Sequence, residues 1–268
     1  MKKTVIISLT VLMTAFAAKM QAQTSFIISP EVGIHTSRSN VTGDLDISQD
    51  FQGMDVNTRS IFSYQGGIGL GIQFAGSWAI LTGVRYNRKG GRTTVETRNP
   101  NNPFQITFDP ENVTFDVGEF TVTTEHNWLS IPILARAQFG GKIKGGLAIG
   151  PQINMALGKI KEVTEYNFEN TNLSSEEDTY SFGSSTSDPL KKSHISLLVL
   201  PYISYDMSEK SSLRFSMMIE SGGNMVNDNA VVLGNNGLRN INATMRNTQV
   251  GIMLSYEYRL NFKTGTKY

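Results

Sequence analysis

Three histidines are the residues best suited to metal chemistry in this chain. His35, His126 and His194 are its only histidines, and imidazole is a common ligand of divalent transition metals. All three take the inward side of alternating segments and lie at the outer ends of those segments. The segments are the first, fourth and sixth of the chain, which are not neighbours. We therefore expect three polar rim residues and no metal site.

A second candidate is the sequence His194-Ile195-Ser196. A histidine beside a serine can activate the hydroxyl as a nucleophile, and the spacing resembles the His-x-Ser of outer-membrane lipid A deacylases. No asparagine follows the serine. The pair also faces inward in the predicted register, whereas lipid chemistry needs access from the membrane side. We therefore predict no catalytic residue and no enzymatic activity.

Acidic clusters are the remaining candidates for ligand binding. Five residues partly match a calcium-binding loop: Asp44, Asp46, Ser48, Asp50 and Asp55. Position six of that pattern is Gln49 instead of glycine and the final ligand is not glutamate, so we expect a solvated acidic loop. The run 176–178 (Glu-Glu-Asp), with serines after it, predicts a mobile exposed loop. Phosphate-loop, metalloprotease and nucleophile-elbow motifs do not occur, and we expect no cofactor.

A set of charged residues takes the inward side of the same segments: Glu31, Arg85, Arg136, Arg214, Glu220, Glu257 and Arg259. Charges confined in a narrow lumen should pair, because an unpaired and partly desolvated charge costs several kcal/mol. Amides on the same face could add hydrogen bonds: Gln65, Gln73, Gln138 and Gln152. Such a network would close the lumen. In the alternative, four groups near one end, Arg136, Arg214, Glu257 and Arg259, extend into water and leave a narrow passage.

Eight alternating segments must position these side chains. They are Phe26 to Thr36, Ile61 to Ala75, Trp78 to Asn87, the two arms of a hairpin from Asn127 to Leu157, His194 to Met207, Leu213 to Glu220, and Thr248 to Phe262. In each, apolar residues alternate with polar or small ones over about the 9–11 residues that a tilted strand needs to cross a bilayer. An even number is typical of bacterial barrels. We predict an all-β, eight-stranded antiparallel up-and-down transmembrane β-barrel.

Connection lengths predict the orientation of the barrel. The links at 75–77, 140–141 and 208–211 are tight, whereas those near 37–60, 90–125, 158–193 and 222–246 are long and polar. Short turns are typical of the periplasmic side and long ones of the exterior, so we expect four long extracellular loops. Prolines lie inside four predicted strands, and we expect bulges there because proline removes a ladder hydrogen bond: Pro30, Pro132, Pro151 and Pro201.

The chain divides into three parts. Residues 1–22 combine Lys2 and Lys3 with a short apolar run and predict a signal peptide, residues 23–262 form the barrel domain, and residues 263–268 are a C-terminal periplasmic extension. Loss of three lysines with the signal changes 24 basic against 23 acidic residues into 21 against 23. This balance does not favour nucleic-acid binding, which requires a basic patch. The chain has no cysteine, which excludes a lipoprotein anchor and disulfides.

Several motifs resemble the PorT-like family of small outer-membrane β-barrel proteins: Trp128-Leu-Ser-Ile-Pro-Ile-Leu-Ala-Arg136, Gly146-Leu-Ala-Ile-Gly-Pro-Gln152, Leu81-Thr-Gly-Val-Arg-Tyr86 and Lys89-Gly90. The resemblance covers essentially the whole mature chain and implies the cell outer membrane as location. The name-giving member of that family assists a protein-secretion system. The end of the chain, Ser255 to Phe262, resembles the aromatic-terminated strand that barrel-assembly machinery recognises.

The resemblance and the residues together favour a non-enzymatic interaction, structural or secretion-assisting barrel that acts through its extracellular loops. The expected partners are outer-membrane lipid, the barrel-assembly machinery at the C-terminal strand, and a protein at the loops; we expect a monomer. Alternatives are a small pore and a lipid-modifying enzyme. A soluble lipocalin-like carrier would have the opposite polarity, with apolar residues inside.

Overall fold

The computed structural model describes residues 24–43, 54–74, 77–97, 104–108, 113–168, 171–181, 190–226, 231–234, 237–240 and 243–261. Their regular structure is entirely β: β1 Ser25–Gly43, β2 Met54–Arg59, β3 Ile61–Phe74, β4 Trp78–Thr97, β5 Phe104–Phe108, β6 Val113–Pro132, β7 Leu134–Gly140, β8 Ile143–Phe168, β9 Thr171–Ser181, β10 Ser193–Asp206, β11 Ser211–Gly222, β12 Val231–Gly234, β13 Gly237–Asn240 and β14 Ala243–Asn261. These described residues contain no helix that is long and apolar enough to span a bilayer.

The sheet closes on itself. Its order runs β10, β11, β14, β1, β3, β4, β7 and β8, and β8 pairs with β10 to complete the ring. β6 and β7 form one barrel strand that is interrupted only at Ile133, because both segments pair with β4 and β8 in the same register. β2 and β3 likewise both pair with β4, so β2 extends the barrel strand that β3 forms. With all pairings antiparallel, the ring is the predicted eight-stranded barrel.

Side chains alternate across the wall of the barrel. The exposed outer face carries large apolar residues, among them Val32, Ile34, Ile68, Leu70, Ile72, Ile80, Val84, Ile203, Phe215, Ile252 and Leu254. The face directed into the lumen is buried and mostly polar. This polarity is the reverse of that expected for a lipocalin-like carrier. The inward and outward assignments predicted from the alternation are therefore confirmed along all eight barrel strands.

The expectation of bulges at the four prolines is wrong. The β1–β14 register is the same before and after Pro30, and the β8–β10 register is unchanged through Pro151 and Pro201. Near Pro132 the ladder continues with Ile133 N donating to Pro151 O at 2.8 Å. Each proline thus removes only its own donor, because its φ is compatible with an extended strand. The register shifts that do occur include one between Glu125 and Asn127, where β6 pairs with β8.

The two ends of the barrel differ. At the short-turn end, tight connections join β3 to β4, β7 to β8 and β10 to β11. At the opposite, long-loop end, much of what the sequence predicts as loop is strand. β4 continues to Thr97 and β8 to Phe168, and residues 176–178, predicted as a mobile loop, lie in β9 paired with β8. The loop boundaries predicted from sequence therefore begin too early.

Three sequence predictions lie outside the described residues. They are the signal peptide at 1–22, the C-terminal extension at 263–268, and the first four residues of the acidic loop, Asp44, Asp46, Ser48 and Asp50; its fifth residue, Asp55, lies in β2 opposite Glu96. All three remain predictions.

Candidate functional site

The lumen holds a network of buried charges near the short-turn end. Glu31 on β1 accepts from Arg85 on β4 at 2.7 Å and from Arg214 on β11 at 2.9 Å. Glu257 on β14 accepts from Arg214 at 2.5 Å and from Arg136 on β7 at 2.6 Å. Two carboxylates and three guanidinium groups thus form one continuous network. Each desolvated charge therefore has a partner of opposite charge, and none is left uncompensated in the lumen.

A second group of paired charges lies at the mouth of the short-turn end. Asp206, the last residue of β10, accepts from Arg259 Nη2 at 2.8 Å and from Lys144 Nζ at 2.5 Å. Arg259 also donates to Ser212 Oγ at 2.9 Å. The alternative in which the charges at this end extend into water is not what the structure shows, because all four of them have ion-pair partners.

A third group lies towards the long-loop end and centres on Lys89. Its Nζ forms an ion pair with Glu220 and donates to Asn154 Oδ1 at 3.2 Å. Gln152 Nε2 donates to Glu220 Oε2 at 3.0 Å. Both charged side chains are at most 1% exposed. A buried ammonium is costly unless it is paired and hydrogen-bonded, which this arrangement achieves.

Lys89 is a site residue that sequence reasoning missed. Lys89 faces the lumen because it lies on the same side of β4 as Arg85 and Asn87, but the predicted strand ended at Asn87. The structure carries β4 ten residues further, to Thr97. If the predicted strand had extended to Lys89, the sequence would have placed Lys89 in the lumen as a candidate ion-pair partner of Glu220.

Apolar side chains fill the space that the polar groups leave. The buried cluster draws on seven of the eight barrel strands: Ile27, Ala79, Leu81, Leu134, Ala148, Leu198, Leu200, Met218 and Met253. β3 instead contributes glycines, as the sequence predicts for a crowded lumen. A Cβ at Gly71 would lie 2.5 Å from Leu81 Cδ2, and one at Gly69 would lie 2.9 Å from Glu31 Oε1. These two positions need glycine because side chains from other strands occupy the volume in front of them.

An apolar cap lies at the long-loop end. It consists of Ile160, Leu190, Met225, Val226 and Met245, which are buried and cluster with Trp128. Backbone hydrogen bonds hold it: Lys191 N donates to Met225 O at 2.7 Å, and Met225 N donates to Met245 O at 2.8 Å. The cap was not predicted, because residues 190–192 and 223–226 fall within predicted loops.

The three histidines face inward, as predicted. His126 Nδ1 accepts from Trp128 Nε1 at 2.5 Å, and the His194 ring meets the Trp128 ring edge-on at 4.6 Å. His35 Nε2 lies 3.1 Å from the Arg88 carbonyl oxygen. Two of the histidines therefore share a contact with Trp128, instead of standing apart at the rim. Within the described ranges, no cluster of three or more His, Asp or Glu could hold a metal ion.

His194 and Ser196 both lie inside the barrel and are buried. Ser196 Oγ accepts from Asn154 Nδ2 at 2.8 Å and lies 3.4 Å from Gln152 O. The serine is therefore held in the lumen network and does not reach the outer face, where a lipid would approach. The similarity to lipid A deacylases is confined to the spacing.

A closed barrel with an apolar outside and a charged inside defines the class of integral outer-membrane barrels. The chain belongs to the outer membrane protein beta-barrel domain family, whose model matches residues 21–188. This family places the protein in the outer membrane. None of the curated proteins compared with the chain matches it.

Solved structures to which the chain is similar include Neisserial surface protein A, with 13% identity, 88% of this chain and 97% of that chain covered, and a TM-score of 0.35. The outer membrane protein OprG from Pseudomonas aeruginosa has 12% identity, 88% and 95% coverage, and a TM-score of 0.43. Ail, the attachment invasion locus protein of Yersinia pestis, has 9% identity, 87% and 98% coverage, and a TM-score of 0.34.

Proposed function

We propose that this protein is a non-enzymatic, non-conducting outer-membrane barrel of the PorT-like kind, which acts in protein interaction or secretion through the strands and loops beyond its long-loop end. The observation that carries the proposal is the filled lumen. Ion pairs, apolar side chains and the cap occupy the interior, so the inward residues are accounted for by stability alone.

Two ion pairs support closure most strongly because they cross the full width of the barrel. Arg136 and Glu257 lie on β7 and β14, and Lys89 and Glu220 lie on β4 and β11; in both cases three barrel strands separate the partners in either direction around the ring. A solute would have to break both pairs. Leaving one partner buried and unpaired costs about 3–5 kcal/mol.

The length of the strands supports a role beyond the membrane. β8 has 26 residues, which corresponds to roughly 85 Å of extended chain, whereas a tilted strand needs only about 9–11 residues to span the bilayer. Beyond the barrel the pairing continues through five strands: β2 pairs with β4, β4 with β6, β6 with β8, and β8 with β9. This projecting sheet is a hydrogen-bonded support for partner binding, and functional residues commonly lie on loops held by such supports.

The test is to shorten the projecting sheet without altering the barrel. Replacing residues 162–178 with Asn-Gly would keep Lys161 opposite Thr179, as they pair in the structure, with a turn suited to two-residue hairpins. We expect normal heat-modifiable barrel in the outer membrane. We also expect the same changes in surface and released proteins that deletion of the whole gene causes in the native host.

A matched control changes the lumen instead. Lys89→Met with Glu220→Met removes both partners of one buried pair, which is often close to neutral for folding. This variant should keep the wild-type profile of surface and released proteins. The proposal fails if the shortened protein behaves as wild type while the lumen variant reproduces the gene deletion.

A further inference from the structure

A group of arginines lies on the outer wall just beyond the apolar band at the long-loop end. We call it the arginine patch: Arg38 on β1, Arg59 on β2, Arg92 on β4 and Arg246 on β14. All four side chains are exposed. They come from neighbouring positions in the ring, because β14 pairs with β1, and β2 with β4 beside it. On this sector of the wall, the patch concentrates positive charge at one height.

Two members of the patch face each other directly. Arg59 and Arg92 are register partners across the β2–β4 ladder, so their Cβ atoms are about 4.5–5.5 Å apart, and like charges in that position are destabilising. Arg38 and Arg246 are diagonal neighbours, since Arg38 is opposite Thr248 and Asn40 is opposite Arg246. No member of the patch forms an ion pair with another described residue. An anion from outside the described chain would neutralise this repulsion.

The position of the patch along the barrel axis, relative to the membrane, indicates that the anion is a lipid headgroup. Below it on the outer face lie Phe62, Tyr64 and Tyr86, and the rings of the two tyrosines are 6.0 Å apart. Aromatic residues of this kind mark the membrane–water interface. Arg88, at the same rim, lies 5.9 Å over the Tyr64 ring and is already paired with Glu125. The patch therefore begins where lipid headgroups begin.

The chemistry of the side chains identifies the group they bind. Guanidinium is planar and binds phosphate in a bidentate manner. Arg92 Nε donates to Thr123 Oγ1 at 3.2 Å, which holds its guanidinium against the wall of the barrel. A soluble partner would meet the top of the projecting sheet, whereas these side chains point sideways, towards the lipid.

We propose that Arg38, Arg59, Arg92 and Arg246 form a binding site for the phosphate groups of a phosphorylated lipid of the outer leaflet. The site goes beyond the proposed function. Arg59 and Arg92 lie at the base of the projecting sheet, but shortening β8 and β9 leaves them in place, so each proposal fails by its own experiment. The site fixes the barrel to particular lipids at the height of their headgroups.

The experiment measures binding of bisphosphorylated lipid A to the purified full-length protein in dodecyl maltoside, by native mass spectrometry. The test variant is Arg59→Gln with Arg92→Gln. The control variant, Lys142→Gln with Lys210→Gln, removes two exposed positive charges at the short-turn end. We expect the test variant to bind at least roughly tenfold more weakly, because charge-assisted hydrogen bonds are lost, and the control to bind as wild type. Lipid A with both phosphates removed should not distinguish the three proteins.

A second measurement separates binding from misfolding. In detergent alone, the test variant should have a Tm equal to or above that of wild type, because repulsion between Arg59 and Arg92 is removed. With bisphosphorylated lipid A present, wild type should have the higher Tm. Equal affinity of wild type and test variant for bisphosphorylated lipid A, or equal weakening in the control variant, would overturn the proposal. So would a wild-type affinity for phosphate-free lipid A equal to that for bisphosphorylated lipid A.

Discussion

Arg136 Nη1 and Glu257 Oε1 are 2.6 Å apart although their strands stand on opposite sides of the barrel. Both side chains are buried. Because the two strands share no backbone hydrogen bond, this ion pair joins the walls directly across the lumen. With Lys89 and Glu220 it joins opposite walls of the barrel at two levels, and the expected behaviour of the protein follows from these two connections.

Removing one partner of a cross-lumen pair should destabilise the barrel more than removing both. We expect Glu220→Met to lower the free energy of unfolding by about 3–5 kcal/mol, because the Lys89 ammonium remains buried and unpaired. Lys89→Met with Glu220→Met should recover most of this loss. Urea unfolding in lipid vesicles measures the difference.

The control for that prediction is the Arg88–Glu125 pair, whose side chains are 29% and 27% exposed. Partly exposed pairs contribute about 0–1 kcal/mol, so Glu125→Met should have little effect. Similar losses for Glu125→Met and Glu220→Met would show that burial does not set the strength of these pairs.

The glycines of β3 should be required by the occupied lumen. Gly71→Ala places a Cβ 2.5 Å from Leu81 Cδ2, and overpacking of this kind costs about 1–3 kcal/mol. Leu81→Ala alone should cost about 2–5 kcal/mol, but it vacates that volume, so the double variant should be more stable than the sum of the two single changes predicts. If the double variant is less stable than the sum of its single changes predicts, the two residues do not compete for space.

The outer face should reject charge in a depth-dependent manner. Ile68→Arg or Leu254→Arg places a cation on the lipid side and should cost about 2–4 kcal/mol near the midplane. Thr36→Arg, also on the outer face but beyond the exposed apolar residues of β1, should cost less than about 1 kcal/mol. Equal costs at the two depths would contradict the lipid-facing assignment.

The apolar cap should shield Trp128 from water. The chain has two tryptophans, and Trp78→Phe removes the exposed one, so that fluorescence reports Trp128 alone. We expect weak quenching by acrylamide and much stronger quenching after Met225→Asp, because a charge in the cap cannot be buried without a partner. Strong quenching before the change would mean that the cap does not cover Trp128.

The sequence predicts which side chains face the lumen because strand periodicity is strictly two. That rule correctly placed Glu31, Arg85, Arg214 and Glu257 inside. It could not show which of them meet, because parity carries no information about height or about distance across the ring. The pairing of Lys89 with Glu220, which are 131 residues apart, depends on how the strands are staggered in the closed barrel.

The apolar cap was also beyond prediction. Leu190, Met225 and Val226 lie outside the alternating segments. The bridge between Leu190 and Val226 and the backbone hydrogen bonds of Met225 place them over the lumen. At the prolines, by contrast, the sequence predicts an irregularity that the structure does not contain. A local rule predicted bulges at Pro30 and Pro201, but the long ladders on either side maintain the register and accept the loss of one hydrogen bond.

The most direct test of the account is planar-bilayer recording with purified protein. A lumen closed by Arg136–Glu257 and Lys89–Glu220 should give no steady single-channel conductance. Replacing all four residues with alanine should open a narrow, measurable passage in a barrel that still shows heat modifiability. Steady conductance of the wild-type protein, increased by the same replacements, would contradict closure and establish a small pore instead.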